Sequence, residues 1–223
     1  MSGYYGHLSK SLAWLLRHGA VENNLNVSSD GYIAVEDIQA LGQFKRYPLD
    51  DFKYITNTND KKRFAMKEEN LKWYIRANQG HSATVGEKIN QEKLLTKILT
   101  PIDPIIHGTT YQAYRLIKQD GLNKMSRTHI HFAITDDFVE GNTQQSGIRS
   151  NCQVMIYVDM VEAMKDGIEF YMSDNKVVLS QGNILKKQST IKQEKILSKF
   201  FTFNLFISIL INFEIFNIFN SIW

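Results

Sequence analysis

Cysteine is nearly absent: Cys152 is the only one in 223 residues. No intrachain disulfide can form, which fits a reducing compartment, and a lone thiol is by default a small buried hydrophobe. Met1–Lys10 lacks the apolar run of a secretory leader, so the expected location is cytoplasmic or nuclear. Internal repeats are missing, as are the GxGxxG and GxxxxGK phosphate loops and the HExxH zinc motif. Neither sign of charge dominates: 26 Lys and Arg against 23 Asp and Glu give a net charge of +3. Bulk charge therefore neither demands nor excludes a nucleic acid. Any affinity for RNA has to come from the local placement of cations.

What is there is a globular composition, 43% hydrophobic and 22% charged, in a chain long enough for one domain or two small ones. Residues 7–18 put Leu8, Leu12, Leu15 and Leu16 on one helical stripe, with Gly19 as the stop. Asp30-Gly31 marks a turn before a strand-like run at 32–35, and helical patterns follow at 35–41 and 49–57. Residues 63–66 and 73–77 read as two strands joined by a charged turn. Helices followed by a hairpin predict a winged-helix-like lobe over residues 1–82. The polar run 83–90 reads as a linker and 91–99 as a helix, making 83–100 a connecting segment.

Pro101 and Pro104 introduce a second unit over 101–182. It has strand patterns at 105–109, 129–133, 154–159, 168–172 and 177–179, and helical ones at 111–119 and 160–165. Strand and helix do not alternate strictly, which predicts an α+β fold with a mixed sheet rather than a doubly wound one.

Chemically capable residues gather at the ends of these elements. Arg17 and His18 close the first helix, with Arg17 about 150° from the centre of the leucine stripe and so not core-facing. The helix dipole favours cations there, whether as a solvated pair or as a pair offered to a phosphate. Arg76 ends a strand in the run Ile75–Ser82, IRANQGHS, where Gly80 would let backbone donors approach an anion. A wing-tip arginine is the plain alternative. His107-Gly108-Thr109 follows the apolar pair Ile105-Ile106, and a glycine in a strand suggests close approach of a ligand or another backbone. Arg127, His129 and His131 share parity and so one strand face. With only distant His107 or Cys152 to complete a coordination shell, no metal is expected. Arg149 is a loop arginine and a phosphate contact at best. Asp159 and Asp166 read as a helix N-cap neighbour and a turn residue.

Several runs together resemble the RNA 2′-phosphotransferase family, the enzymes known for tRNA splicing. They are LSKSLAWLLRHGA (Leu8–Ala20), DGYIAVEDI (Asp30–Ile38), KRFAM (Lys62–Met66), IRANQGHS (Ile75–Ser82), HGT (His107–Thr109), GLNKMSRTHIHFA (Gly121–Ala133) and DGIEFYMSDNKVVLSQG (Asp166–Gly182). The resemblance implies a winged-helix-like N-terminal lobe and a C-terminal lobe of the ADP-ribosyltransferase type, with NAD in the cleft. It implies that an internal RNA 2′-phosphate, that of spliced tRNA, attacks C1″ of the nicotinamide ribose of NAD and expels nicotinamide. The ribose 2″-hydroxyl then attacks that phosphate, giving 2′-hydroxyl RNA and ADP-ribose 1″,2″-cyclic phosphate.

Carried over position by position, the resemblance implies Arg17, His18, Arg76 and Arg127 around the transferring phosphate. It implies His107, Gly108 and Thr109 on NAD, with His131 and Arg149 as further contacts. NAD is consumed as a co-substrate and no metal is needed. Guanidiniums would grip the phosphate in a planar, bidentate way that lysine cannot copy, and His18 could add a hydrogen bond or move a proton. The same cleft could instead ADP-ribosylate a terminal phosphate of RNA or DNA. An inactive second lobe would leave an RNA-binding homologue.

After Gly182 the resemblance implies a glycine-containing turn and a short closing strand. Residues 183–198 are instead polar and lysine-rich, and Phe200–Trp223 is almost wholly apolar. That last stretch, 24 residues, is long enough to span a bilayer. Glu214 inside it opposes insertion by about 2–3 kcal/mol. A membrane anchor, a helix packed on the body or a partner, and an aberrant C-terminus are the readings of this tail.

Overall fold

The computed structural model describes residues 3–103, 105–134, 147, 148 and 151–182, together with the backbone of 191–196. Arg149 and the apolar stretch Phe200–Trp223 lie outside the described residues. Among the described residues no helix is long and apolar enough to cross a membrane.

The leucine stripe makes α1 (Gly3–Trp14), which buries Leu8 and Leu12. The helical run ends at Gly19, as the sequence predicts, but its last turn is not α-helical. A π-helical turn, Leu15–Gly19, carries the helix on, and Ala20 caps it. Such a widened turn is a recurrent feature of functional sites. After β1 (Ile33–Ala34) come α2 (Val35–Ala40) and α3 (Leu49–Asn57). The strands β2 (Phe64–Glu69) and β3 (Lys72–Ala77) form an antiparallel hairpin. Its tip, Asn70-Leu71, takes positive φ at both residues, the geometry that matches strand twist in a two-residue turn. β1 joins the other edge of β3, giving the order β1-β3-β2.

The segment expected to be a linker is folded instead. α4 (Ala83–Gly86) buries Val85, and Ile89 follows it into the core. The helix expected over 91–99 is cut to α5 (Gln91–Leu94), capped by the Asn90 side chain accepting from the Glu92 N–H. Leu95 turns extended and Thr96–Lys97 becomes β4, paired with Tyr171 and Met172. The β-branched Thr96 and Ile98 suit an edge strand better than a helix, and the Ile98 N–H donates to the Phe170 carbonyl at 2.9 Å.

The strands that follow are β5 (Ile105–Thr109), β6 (Ile130–Ile134), β7 (Val154–Val158), β8 (Phe170–Met172), β9 (Val178–Ser180) and β10 (Ile191–Ile196). With β4 they make the second sheet, in the order β10-β7-β5-β6-β9-β8-β4. The sequence predicts a mixed sheet; every described pairing is antiparallel. The closing strand that the polar tail seemed to lack is present as β10, against β7. α6 (Tyr111–Asp120) is capped by Thr110 and ends at Gly121, φ +82°. α7 (Met160–Lys165) is capped by Asp159, whose carboxylate accepts from the Glu162 N–H at 3.1 Å. Ile105, Phe132, Val154, Ile156, Phe170 and Val178 fill the core between these elements.

The two sheets share apolar packing. Val177 and Leu179 of the second are buried in one cluster with Leu12, Ile75 and Val85. Polar contacts reinforce the seam: the Asn175 amide donates to the Lys61 carbonyl at 3.0 Å, and the Lys61 ammonium to the Ile148 carbonyl at 2.9 Å. The protein is thus a mixed α and β fold of two antiparallel sheets, with the seam lined by the sequence runs that carry the chemistry.

Candidate anion-binding site

The site starts at the π turn. Arg17 is half-buried, and its Nε is enclosed without a hydrogen-bond partner. Its backbone carbonyl accepts from the Ser82 N–H at 2.9 Å and from the Ser82 hydroxyl at 3.1 Å. Gly80, at φ +90°, lies against the guanidinium, where a β-carbon would stand 3.4 Å from Arg17 Nε. The sequence suggests this glycine as a place for an anion to reach backbone donors; it is where Arg17 rests.

Ser82 also reaches across the seam, forming an isolated antiparallel bridge with Arg127. Next to it the Thr128 N–H donates to the His81 carbonyl at 3.1 Å. One short run, Gly80-His81-Ser82, therefore supports Arg17 from below and fixes the backbone of Arg127 beside it. The IRANQGHS segment thus positions two arginines that lie outside it.

The electrostatics are one-sided. Burial, then the charges of Arg127 and Arg63, pull the Arg17 pKa down to about 10. Burial followed by Arg127 and Arg17 lowers His18. His81 is pushed to about 3 by burial, then by Arg17, His129, His18 and Arg76. His129 falls to about 4 through burial and Lys124, and His131 falls well below the ordinary imidazole range through burial and then Arg127. All these rings are neutral at pH 7. The Nε2 atoms of His81, His129 and His131 are buried without partners. Guanidiniums crowded together and imidazoles kept neutral form a site whose electrostatic strain an anion would relieve.

Arg63, which sequence reasoning did not single out, belongs here. It precedes β2, its guanidinium donates to Asn59 Oδ1 at 3.2 Å, and its charge registers on Arg17. The signal was present in the KRFAM run, but nothing in a linear reading separates an arginine at a strand start from a surface one. Arg76 has a different setting. It is 8% exposed, donates to the Asp30 carbonyl at 3.0 Å, pairs with Asp174 at 2.5 Å and lies over the Tyr32 ring at 4.8 Å. It borders the site through His81 while its guanidinium is held by a carboxylate from the other sheet.

The His-Gly-Thr run is β5 itself. His107 Nδ1 is 2.9 Å from the His131 carbonyl oxygen, so the ring leans towards β6. A β-carbon at Gly108 would meet Ile148 at 2.9 Å and the Cys152 sulfur at 3.0 Å, so the close approach here is by side chains of this chain. Thr109 is half-buried, with its carbonyl accepting from the Gln153 N–H at 2.8 Å. Cys152 is buried, and burial raises its thiol pKa, as suits a small hydrophobe. Among the described residues no group of three or more His, Cys, Asp or Glu is placed to hold a metal.

Fold and site together define a mixed α and β protein with a cluster of cationic side chains around Arg17 and Arg127 where its two sheets meet. The sequence model of the family described as RNA 2′-phosphotransferase, Tpt1 / KptA family, matches residues 5–182, and the chain belongs to that family. It is 40% identical over 176 residues to the putative tRNA 2′-phosphotransferase of Schizosaccharomyces pombe, a match covering 79% of this chain and 47% of that protein. It is 38% identical over 179 residues to tRNA 2′-phosphotransferase 1 of Danio rerio, covering 79% and 78%. The tRNA 2′-phosphotransferase of Saccharomyces cerevisiae is 31% identical over 186 residues, covering 78% and 77%. The chain thus spans about half the length of the first of these relatives and about three quarters of the other two.

Proposed function

We propose that this protein transfers an internal RNA 2′-phosphate, with spliced tRNA as the substrate, to NAD. On this reading the N-terminal unit is a winged-helix-like lobe and the C-terminal unit has the ADP-ribosyltransferase architecture. The observation that carries the proposal is that Ser82 ties the Arg17 backbone to that of Arg127 while the enclosed Arg17 Nε has no partner, in a chain of this family.

Arg17, Arg63 and Arg127 would grip the phosphate dianion, and His18 would donate or accept one hydrogen bond at its edge. The three cations offset the charge that shifts between oxygens as the phosphate forms and breaks bonds, the type of preorganised stabilisation expected to dominate the rate. Arg76, which the resemblance groups with them, would set the seam through Asp174 and so hold His81 and Arg17 in place.

NAD fits the β6 side, where the orphaned Nε2 atoms of His129 and His131 could meet ribose hydroxyls and where His107, Gly108 and Thr109 lie one strand away. When bound it would supply the ribosyl carbon that takes the phosphate as nicotinamide leaves. The outcome would be 2′-hydroxyl RNA and ADP-ribose 1″,2″-cyclic phosphate.

The test incubates purified protein with an internally 2′-phosphorylated RNA, with and without NAD. Loss of the phosphate only with NAD, together with the cyclic phosphate product, supports the reading. A stable ADP-ribosylated RNA end would replace it with terminal-phosphate modification. RNA binding without nicotinamide release would make the protein an RNA-binding homologue.

A further inference from the structure

The face of α1 that leads to the π turn carries an aromatic side chain the core does not use. Trp14 is 48% exposed, although the same helix buries Leu8 and Leu12 completely. At 100° per residue Trp14 lies about 200° around from Leu12, on the opposite side of the helix. Its six-membered ring rests on the π turn: a β-carbon built on Gly19 would be 2.4 Å from Cζ3 and 2.6 Å from Cη2. The widened turn brings residue i+5 beneath the ring, and only glycine leaves room for it. The indole is therefore propped in one position beside the turn that presents Arg17 and His18, yet half of it faces solvent.

Trp14 has cationic or polar company at helical spacing. Lys10, exposed, is four residues before it, and His18, half-buried, is four residues after it. Residues four apart on an α-helix share a face, so Lys10 lies beside Trp14, and the π turn on which the Trp14 ring rests carries His18 next to Gly19, a stripe running from solvent into the site. A stripe of one cation, one fixed aromatic ring and then a phosphate-binding turn is what a single RNA strand requires. Bases stack on aromatic faces irrespective of sequence, and lysine answers the backbone phosphates. A protein partner would call for a contiguous apolar patch, and here the ring stands between polar neighbours.

We propose that the Lys10–Trp14–His18 stripe is the seat of the RNA nucleotide that flanks the 2′-phosphate, with its base stacked on Trp14 and its phosphate against Lys10. This deepens the proposed function and rests on it for the identity of the strand. Because the ring is already immobilised on Gly19, stacking would cost little side-chain entropy.

The experiment compares two substrates, a single-stranded oligonucleotide with an internal 2′-phosphate and a 2′-phosphorylated mononucleotide without neighbours. Trp14→Ala should raise KM for the oligonucleotide about tenfold, the weight of one stacked base, and leave kcat, KM for NAD and the mononucleotide kinetics as in wild type. Trp14→Phe should restore KM, since a ring is what matters. In parallel, the oligonucleotide without NAD should quench wild-type tryptophan fluorescence, and the quench should vanish in Trp14→Phe while that variant still binds labelled RNA. Equal losses on both substrates would overturn the proposal, because Trp14 would then act only through the fold, as would an unchanged quench in Trp14→Phe. If wild type dephosphorylates neither substrate, the enzymatic reading fails, and the quench alone decides whether RNA lies on Trp14.

Discussion

Arg17 and Arg76 both come from the N-terminal lobe, both lie at the seam, and both keep a buried Nε without a partner. Their surroundings differ in sign. Arg76 meets the Asp174 carboxylate and the Asp30 carbonyl, whereas the charges acting on Arg17 are those of Arg127 and Arg63. On the proposed function, a guanidinium already neutralised by a carboxylate would be held for the structure, and one pressed by other guanidiniums for the ligand. The same residue type at one seam thus stands in two surroundings, and only the neighbours distinguish them.

Replacing Arg17 gives the largest effect. Arg17→Ala should lower kcat/KM for a 2′-phosphorylated RNA by roughly 100- to 1,000-fold, the scale of losing one preorganised donor, and Arg17→Lys should recover little of it. Near-native turnover by either variant would remove Arg17 from the reacting phosphate.

The comparison is sharpened by conservative changes at the other two arginines. Arg63→Lys should cost about 100-fold in kcat, because a point charge cannot reproduce a bidentate grip. Arg76→Lys should stay within about tenfold, since an ammonium can still pair with Asp174. The opposite ranking would return Arg76 to the phosphate and break the comparison.

Acid titration reads the buried imidazoles. His81 has a folded pKa of about 3, below its ordinary value near 6.5, so the unfolded chain binds a proton that the folded one refuses. Below about pH 6.5 this group destabilises the fold by up to about 1.4 kcal/mol per pH unit until its folded pKa is reached. Thermal melts between pH 7 and 5 should therefore fall more steeply for wild type than for His81→Gln; parallel curves would show that the ring accepts the proton while folded.

The smallest effect is expected at Asp174. Its side chain is 57% exposed, so Asp174→Asn should cost at most about 1 kcal/mol of stability. Its larger signature should be a rise in KM for RNA as the seam loosens, measured beside a melting temperature that falls only slightly. A large drop in Tm with unchanged KM would make the pair purely structural.

Much of the framework was legible in the residues. The leucine stripe, the charged hairpin turn, and the run from Tyr111 to Gly121 fall where periodicity and turn chemistry place them. Asp159 proves to be the cap itself rather than its neighbour. The errors share a cause. Residues 83–90 look polar, yet Val85 and Ile89 are enough to bury the segment against the seam. Residues 95–98 have helical company on one side, but pairing with β8 takes them into a strand. The tail's Ile191–Ile196 is lysine-bearing and still completes the sheet, because an edge strand needs backbone pairing more than an apolar sequence. In each case a long-range partner overrode local preference.

The sequence alone determined most of the elements, the family, and the pool of cations available to a phosphate, because helical and strand periods and motif order are local properties of the chain. Tertiary structure alone decided which cations meet. Arg63 and Arg127 are brought to Arg17 across 46 and 110 positions of chain by the hairpin and by the Ser82 bridge. Charge interactions depend on distance through space and on burial, and neither is written along the chain.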